Sequence, residues 1–556
     1  MNMVDLHVHS NRSDGSFTPS ELVDYAQKKG LKAFALTDHD TTEGLDEAIA
    51  AAKVKDIEVI PGIEFSTEYE GKDVHIVGLY IDYQHDSFQK YLADFQESRR
   101  IRNEKMCQKL NEHGIDISYE RLKECFPDAV ITRAHYAKYL LQHGYVKSMP
   151  EAFDRFIGDR APCFIPREKV TPEQAVKLIL KSGGIPVLAH PTLYHMSTER
   201  LEQLIVTLKA AGLMAMEGIY STYTSGEARQ MQALCKKYNL LVSGGSDFHG
   251  NTKPGLDLAT GYGSLAIPYD VLAAMKARLA FRGEIVFSDM DGTLLRDDKT
   301  ISPALLTEIN AFLSRGGKLV LSSGRPLDSI LEVAKQFDLV MPGMYIIAFN
   351  GALIYDCDKE KAIFESKIPR KTLARLNELI LENHIHCHAY ETGENFAQTI
   401  VCEQDDEELA FYRINVHLPY RIVGCLAKDI QNEPYKVLAV QLGEDHTNLE
   451  HFNRRLNYEL GDSMHTFYST PHYLECLMKD ASKGNAVKFL CDYLDIPVSR
   501  SIACGDAGND TPMLKAAGLG VCMCNGTLDT KLAGDIVTVD SNEEDGLLEI
   551  FRRYTI

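Results

Sequence analysis

The chain has 556 residues, too many for one hydrophobic core, so two to four domains are expected. Its apolar share of 45% and charged share of 25% are those of an ordinary globular protein, and no run approaches the roughly 20 apolar residues of a membrane helix. The net charge of −20 argues against a grip on long nucleic acid, which needs a basic stripe, and favours a small anionic substrate held by local charges. No apolar leader precedes Asp5, His7 and His9, and the thirteen cysteines are scattered with no C-x-x-C pair. They read as reduced thiols, and the expected compartment is the cytoplasm.

The first half alternates apolar runs with amphipathic stretches. The runs are 4–9 (VDLHVH), 33–37 (AFALT), 57–60 (IEVI), 74–80 (VHIVGLY), 185–189 (IPVLA), 214–219 (MAMEGI) and 240–244 (LLVSG). These are seven candidate strands in a largely βα pattern. Thr18-Pro19 and Thr171-Pro172 place a cap residue before a first-turn proline, opening helices over 21–29 and 172–181. Between about 88 and 165 the strand signal gives way to helical, charged sequence, read as an inserted lid. Arg99, Arg100, Arg102 and Lys105 fall there at helical spacing and read as a solvated face.

His7 and His9 share one face of the first strand. Asp14 follows in a glycine turn, His39 closes the second strand, and Glu64 follows the third. His75 is on the fourth strand, His190 ends the fifth, and Asp247 and His249 follow the seventh. Strand ends are where barrel-like α/β folds gather their active residues. Any one of these histidines alone reads as a satisfied structural residue. The nine groups together would repel one another or stay unsatisfied without cations, and mixed imidazole and carboxylate donors suit Mn, Fe or Zn.

These motifs resemble the PHP phosphoesterase family over about residues 3–265. The resemblance implies a (β/α)7 barrel with a trinuclear metal site whose ions polarise phosphoryl oxygens and activate water. It assigns His7, His9, Glu64 and Asp247 to one metal, bridging Glu64 with His75 and His190 to a second, and Asp14, His39 and His249 to the third. The lid segments 131–141 (ITRAHYAKYLL) and 157–166 (IGDRAPCFIP) are similar to the branch acting on nucleoside 3′,5′-bisphosphates and on 5′ ends of short RNA. In that branch Arg133 and His135 would approach the substrate phosphate, with Arg160 a further phosphate candidate or a surface ion pair. Ala134 and Tyr220 depart from the branch's pattern, which has proline and an acidic residue there.

A second α/β series opens near 281, with strands at 285–288, 318–322, 345–349, 501–504 and 519–523, interrupted over roughly 357–475 by a cap. Asp289 and Asp291, one residue apart after a strand, suit a nucleophile that also binds Mg²⁺ and an acid/base partner. Asp506 and Asp510 supply further oxygen ligands. Ser323 can hydrogen-bond a transferring phosphoryl group, and Lys483 brings positive charge. This set resembles the Cof-type phosphatases of the haloacid dehalogenase superfamily over about 284–550. The resemblance implies a Rossmann-like core, a large α/β cap and an aspartyl-phosphate, with Asn350 and Asn509 beside the substrate.

The alternating His384, His386 and His388 in the cap read as solvent-facing, with no carboxylate set nearby. The expectation is thus two α/β domains, 1–280 and 281–556, in a bifunctional enzyme for small phosphorylated substrates, nucleotides or short RNA among them. The first site would take a nucleotide phosphoester with Mn²⁺, Fe²⁺ or Zn²⁺, and the second a phosphorylated metabolite with Mg²⁺. The alternatives are a 5′–3′ exonuclease on short RNA at the first site, or one half reduced to a regulatory binding module.

Overall fold

The computed structural model describes residues 2–127, 129–158, 161–165 and 171–556. The chain divides into two compact units, Met1–Ala280 and Phe281–Ile556. In the first, seven strands lie side by side in chain order: β1 (Met3–Val8), β2 (Leu31–Leu36), β3 (Glu58–Tyr69), β4 (Lys72–Leu79), β5 (Ile185–Leu188), β6 (Ala215–Tyr220) and β7 (Leu241–Gly245). Main-chain bonds from Asp247 N to His7 O and from His9 N to Phe248 O bring the end of the row back to β1, so the sheet is nearly a closed barrel. Val4, Leu6 and Val8 alternate with buried polar residues because both faces of a barrel strand are covered.

The βα succession breaks at β3, which pairs antiparallel with β4, as β4 does with β5. Pro61-Gly62 reads as a strand end, yet β3 continues to Tyr69 and Glu64 lies within it. Gly62 permits a close approach there rather than a turn: a Cβ would come within 2.8 Å of the Thr37 methyl and 3.0 Å of Gly78 O. Capping boxes do open the helices Pro19–Lys28 and Pro172–Lys181, through Thr18 with Glu21 and Thr171 with Gln174.

Between β4 and β5 the chain forms the helices Asp86–Glu112, Tyr119–Cys125, Arg133–Gln142 and Met149–Ala152. They enclose their own core of Met106, Leu110, Tyr136, Leu140 and Ile157.

In the second unit Ile285–Asp289 is central, between Lys318–Ser322 and Ser501–Gly505, with Met344–Ala348 and Leu519–Cys522 further out, all parallel. Ligand sites in such sheets form at the strands' carboxyl ends. The cap is narrower at its start than the sequence suggests. Leu353–Asp356 and Lys361–Glu365 form an antiparallel hairpin on the edge of the core sheet, and the cap's own six-stranded sheet runs from His386–Thr392 to Tyr473–Met478. The helices Arg370–Asn383 and Thr447–Leu460 cover it through Leu373, Leu376, Leu449 and Phe452.

The alternating histidines do not all face solvent. His384 is exposed in a left-handed helix cap, but His386 and His388 are buried inside the cap sheet. A carboxylate does stand nearby: Asp406 lies 2.8 Å from His386 Nδ1, and His386 Nε2 lies 3.3 Å from His388 Nδ1.

Each unit holds its own core. Ile347→Ala, in the wholly buried strand beside Lys318–Ser322, should therefore destabilise the second unit by about 2–5 kcal/mol in urea unfolding. The unfolding of the first unit should not change.

Candidate active sites

In the first unit Glu64 meets five imidazoles. Its Oε2 lies 3.1 Å from His7 Nε2, 3.2 Å from His9 Nε2 and 3.2 Å from His39 Nδ1. Its Oε1 lies 2.9 Å from His75 Nδ1 and 3.0 Å from His190 Nε2. Asp14 approaches His249 Nε2 at 3.1 Å and accepts from the Thr132 hydroxyl at 3.2 Å. Asp247 lies 3.4 Å from His9 and 3.3 Å from His249, and accepts 2.6 Å bonds from Lys253 and the Tyr220 hydroxyl.

Burial opposes charge on Glu64, yet His7, His39 and His75 outweigh it and hold the carboxyl well below its usual range. Asp14 and Asp247 are depressed in the same way, the latter chiefly by Lys253 and His249. The imidazoles divide. Burial pushes His39 down to about 3, while Asp247 and Glu64 overcome burial and raise His9 to about 9. A neutral His39 keeps a lone pair for a cation.

The donors fall into overlapping groups with one ligand atom per residue, all within 4.8 Å: His9, Asp14, His39 and His249; His7, Glu64 and His190; His7, His9 and Asp247; His39, Glu64 and His75. All nine residues singled out in the sequence thus come together. One carboxylate does not satisfy five imidazoles, and Asp14 Oδ1 is buried without a hydrogen-bond partner. This donor set fits a cluster of divalent metals.

Sequence reasoning missed the residue that steers the rings. Glu217 on β6 holds His7 Nδ1 at 2.9 Å and accepts from His190 N at 2.5 Å, the outer-shell contact that fixes a ligating imidazole. Its signal was a lone acid inside the apolar run MAMEGI.

Asp14, His39 and His75 share a pocket with Arg99, Arg102 and Arg133. Arg99 and Arg102 are buried and face this pocket rather than forming a solvated face; Arg99 donates to Asp40 at 2.7 Å and to Ser66 at 2.9 Å. Arg100 and Lys105 of that run are exposed as expected, with Arg100 paired to Glu97 and Glu104. Arg133 pairs with Asp73 at the pocket wall. His135 does not join it. Its Nδ1 accepts from Thr132 N at 2.9 Å, closing a capping box, and its ring packs on Phe126. Arg160 lies outside the described residues.

In the second unit Asp289 ends the central strand, and Lys483, the first residue of the helix Lys483–Tyr493, is wholly buried against it. Lys483 Nζ donates to Asp289 at 2.5 Å, to Asp510 at 2.6 Å and to the carbonyl of Ser322 at 3.1 Å. Burial and the neighbouring Asp510 raise Asp289 well above the usual carboxylate range, and burial with Asp510 pushes Asp506 up to about 6. A divalent cation would relieve that crowding, and Asp289, Asp506 and Asp510 bring their oxygens within 4.8 Å.

Asp291 is not in that group. Arg325 holds it through two bonds of 2.9 and 2.6 Å and Lys299 through one of 2.8 Å, and against burial these cations depress its carboxyl. Its side chain lines the cavity, turned toward these two cations. Asn509 Nδ2 donates to Asn350 Oδ1 at 3.2 Å, and Ser323 and Asn509 line the cavity with Asp289 and Asp291. Opposite them the cap contributes Tyr412, Lys436 and Glu475.

Two metal-ready carboxylate sites at strand ends, each beside phosphate-suited cations, define the class as phosphoric ester hydrolases. The PHP domain profile matches residues 5–156, and that of haloacid dehalogenase-like hydrolases matches 286–551. A 5′–3′ exoribonuclease of Haemophilus influenzae is 40% identical over 245 residues, which cover 44% of this chain and 89% of that protein. A 3′,5′-nucleoside bisphosphate phosphatase of Chromobacterium violaceum is 34% identical over 256 residues, 46% of this chain and 90% of that one. A second Haemophilus influenzae protein, provisionally named a phosphatase, is 31% identical over 263 residues, 47% of this chain and 94% of its own. The chain belongs to the PHP family through its first half and to the haloacid dehalogenase-like hydrolases through its second. It is a two-domain phosphoric ester hydrolase, and both families are generally metal-dependent.

Burial pushes His135 down to about 4, whereas an unfolded chain titrates it near 6.5. As pH falls the unfolded state takes up this proton first, so the stability His135 confers is full above about 6.5 and is lost on the way to about 4. Hydrogen exchange over Arg133–Gln142 should show lower protection at pH 5 than at pH 7, and His135→Gln should remove most of that difference.

Proposed function

We propose that the first site hydrolyses a nucleotide phosphoester such as a nucleoside 3′,5′-bisphosphate, and that the second dephosphorylates a small phosphorylated metabolite through Asp289. The observation that carries the first part is the pocket joining the metal-ready donors Asp14, His39 and His75 to Arg99, Arg102 and Arg133. It offers cations for a phosphate beyond the one that reacts. Metals here, of the Mn, Fe or Zn kind, would polarise the phosphoryl oxygens and supply the attacking water. Arg133, braced by Asp73, orients a substrate phosphate, and Glu217 holds the His7 ring in its working orientation.

At the second site Asp289 attacks the phosphoryl group and carries it as an aspartyl-phosphate. Lys483 stabilises the attacking carboxylate, and Ser323 hydrogen-bonds the group in transfer. Asp291 acts as acid and then base once Arg325 and Lys299 release it to the substrate. Mg²⁺, held by Asp289, Asp506 and Asp510, would neutralise the charge that builds on the phosphoryl oxygens. The cavity of about 640 Å³ suits a small phosphorylated molecule. Both sets of side chains are in place, which disfavours a half that only binds.

A second reading of the first site, 5′–3′ exonuclease action on short RNA, is favoured by the 40% identical relative of that name. Turnover of a dinucleotide against a mononucleotide bisphosphate separates the two.

With Mn²⁺ present, phosphate release from 3′-phosphoadenosine 5′-phosphate should survive Asp289→Asn and be lost in His9→Ala. Release that depends on Asp289 instead would move the nucleotide chemistry to the second site. Glu64→Gln should lower bound Mn, Fe or Zn in elemental analysis, and unchanged content would remove Glu64 as a ligand. Neither substitution in the first unit should alter Mg²⁺-dependent hydrolysis of an aryl phosphate at Asp289.

A further inference from the structure

We propose that Phe153 and Phe164 form a stacking subsite for the nucleobase of the first site's substrate, an inference that rests on the nucleotide reading of that site. Both rings line the same pocket as Asp14, His39 and Arg133, and neither is fully buried. Phe153 packs in part against the lid core, yet both rings keep some area open to the pocket beside the metal-ready donors, where an apolar face gains by being covered. Their chemistry suits a flat partner. The Arg133 guanidinium lies over both rings, 5.9 Å from the Phe153 centre and 5.3 Å from that of Phe164, so the two faces already attract one planar group.

The backbone is shaped for this placement. Phe153 opens a π-helical turn, Phe153–Ile157, directly after the helix Met149–Ala152. The turn closes by a bond of 2.8 Å from Gly158 N to Phe153 O. A side chain at position 158 would meet that carbonyl, because its Cβ would come within 2.6 Å of Phe153 O. The wider turn shifts side chains by one position relative to an α-helix, and such turns recur at functional sites.

Aromatic faces and arginine planes stack on every base, because recognition by a π-face needs no particular hydrogen-bonding edge. The subsite therefore predicts tolerance of base identity: adenosine, guanosine, cytidine and uridine bisphosphates are all substrates, with the larger purine rings bound more tightly. In this arrangement Arg133 serves two groups, a phosphate through its charge and the base through its plane. The rival role for the rings is to brace Arg133 alone, and the two roles separate when the substrate has no base.

The test measures KM for 3′-phosphoadenosine 5′-phosphate and for base-free ribose 3,5-bisphosphate, in wild type, Phe164→Ala, Phe164→Leu and Phe164→Tyr. Phe164→Leu keeps an apolar side chain but removes the ring, and thermal unfolding with bound-metal content confirms that each variant is folded. The expected result is a rise of about five-fold or more in KM for the nucleotide in the Ala and Leu variants, recovery in Phe164→Tyr, and no change for the base-free substrate. An equal rise on both substrates, or a Leu variant indistinguishable from wild type, overturns the stacking subsite and leaves the nucleotide reading standing. If the wild type releases phosphate from the base-free compound but not from the nucleotide, the nucleotide reading itself fails.

Discussion

Glu64 has both oxygens against five histidine rings, drawn from β1 and the segment after it, the end of β2, β4 and the end of β5. Everything else in the first unit serves that convergence. A one-residue slip in a strand would turn its donor side chain to the opposite face, so the register of the barrel and the geometry of the donor cluster are one constraint. The barrel seam is correspondingly tight: at Gly245 an added Cβ would fall within 2.1 Å of His7 Cβ. The antiparallel β3–β4 hairpin follows from the same demand, since it brings Glu64 and His75 into contact across neighbouring strands.

The second unit answers a similar problem with opposite signs. Asp289 and Asp510 share one wholly buried lysine, and removing either partner would leave an uncompensated charge in a dry place. Lys436 repeats the arrangement in the cap. It is buried with Glu475 at 2.8 Å and donates to the carbonyl of Gly324 at 3.1 Å, next to Ser323 and Arg325. The cap thereby holds the Ser323–Arg325 loop as well as lining the cavity beside it.

The parts legible in the sequence are those with strong local signatures. The strands of both sheets are largely apolar runs, many helix starts carry caps, and the clustered histidines and acids stand out as polar residues within or just after those runs. What stayed hidden depends on long-range partners. Arg99 and Arg102 look like a surface stripe because helical spacing does not reveal that Asp40 and Ser66, distant in sequence, close over one side of that helix. Glu217 was silent because a buried acid in a strand has no meaning until His7 faces it. Asp291 was read from its spacing to Asp289, but Arg325 and Lys299 decide where its carboxylate points. His386 and His388 sit in a run that alternates like a half-exposed strand, yet on their face the helix Glu407–Asn415 brings the Tyr412 ring within 4.4 Å of His388, and Asp406 satisfies the first ring.

The distance along the chain between groups that must touch has a consequence for how the protein is made. His7 and Glu217 are 210 residues apart, and Asp289 and Lys483 are 194 apart. Translation at about 5–20 residues per second separates such partners by roughly ten to forty seconds of synthesis. During that interval the nascent chain holds histidines and carboxylates with no Glu217 to orient them, and Asp289 with no lysine beside it. Neither site exists until its last segment emerges, so a truncated product ending inside a unit would have the imidazole and carboxylate donors without an organised centre.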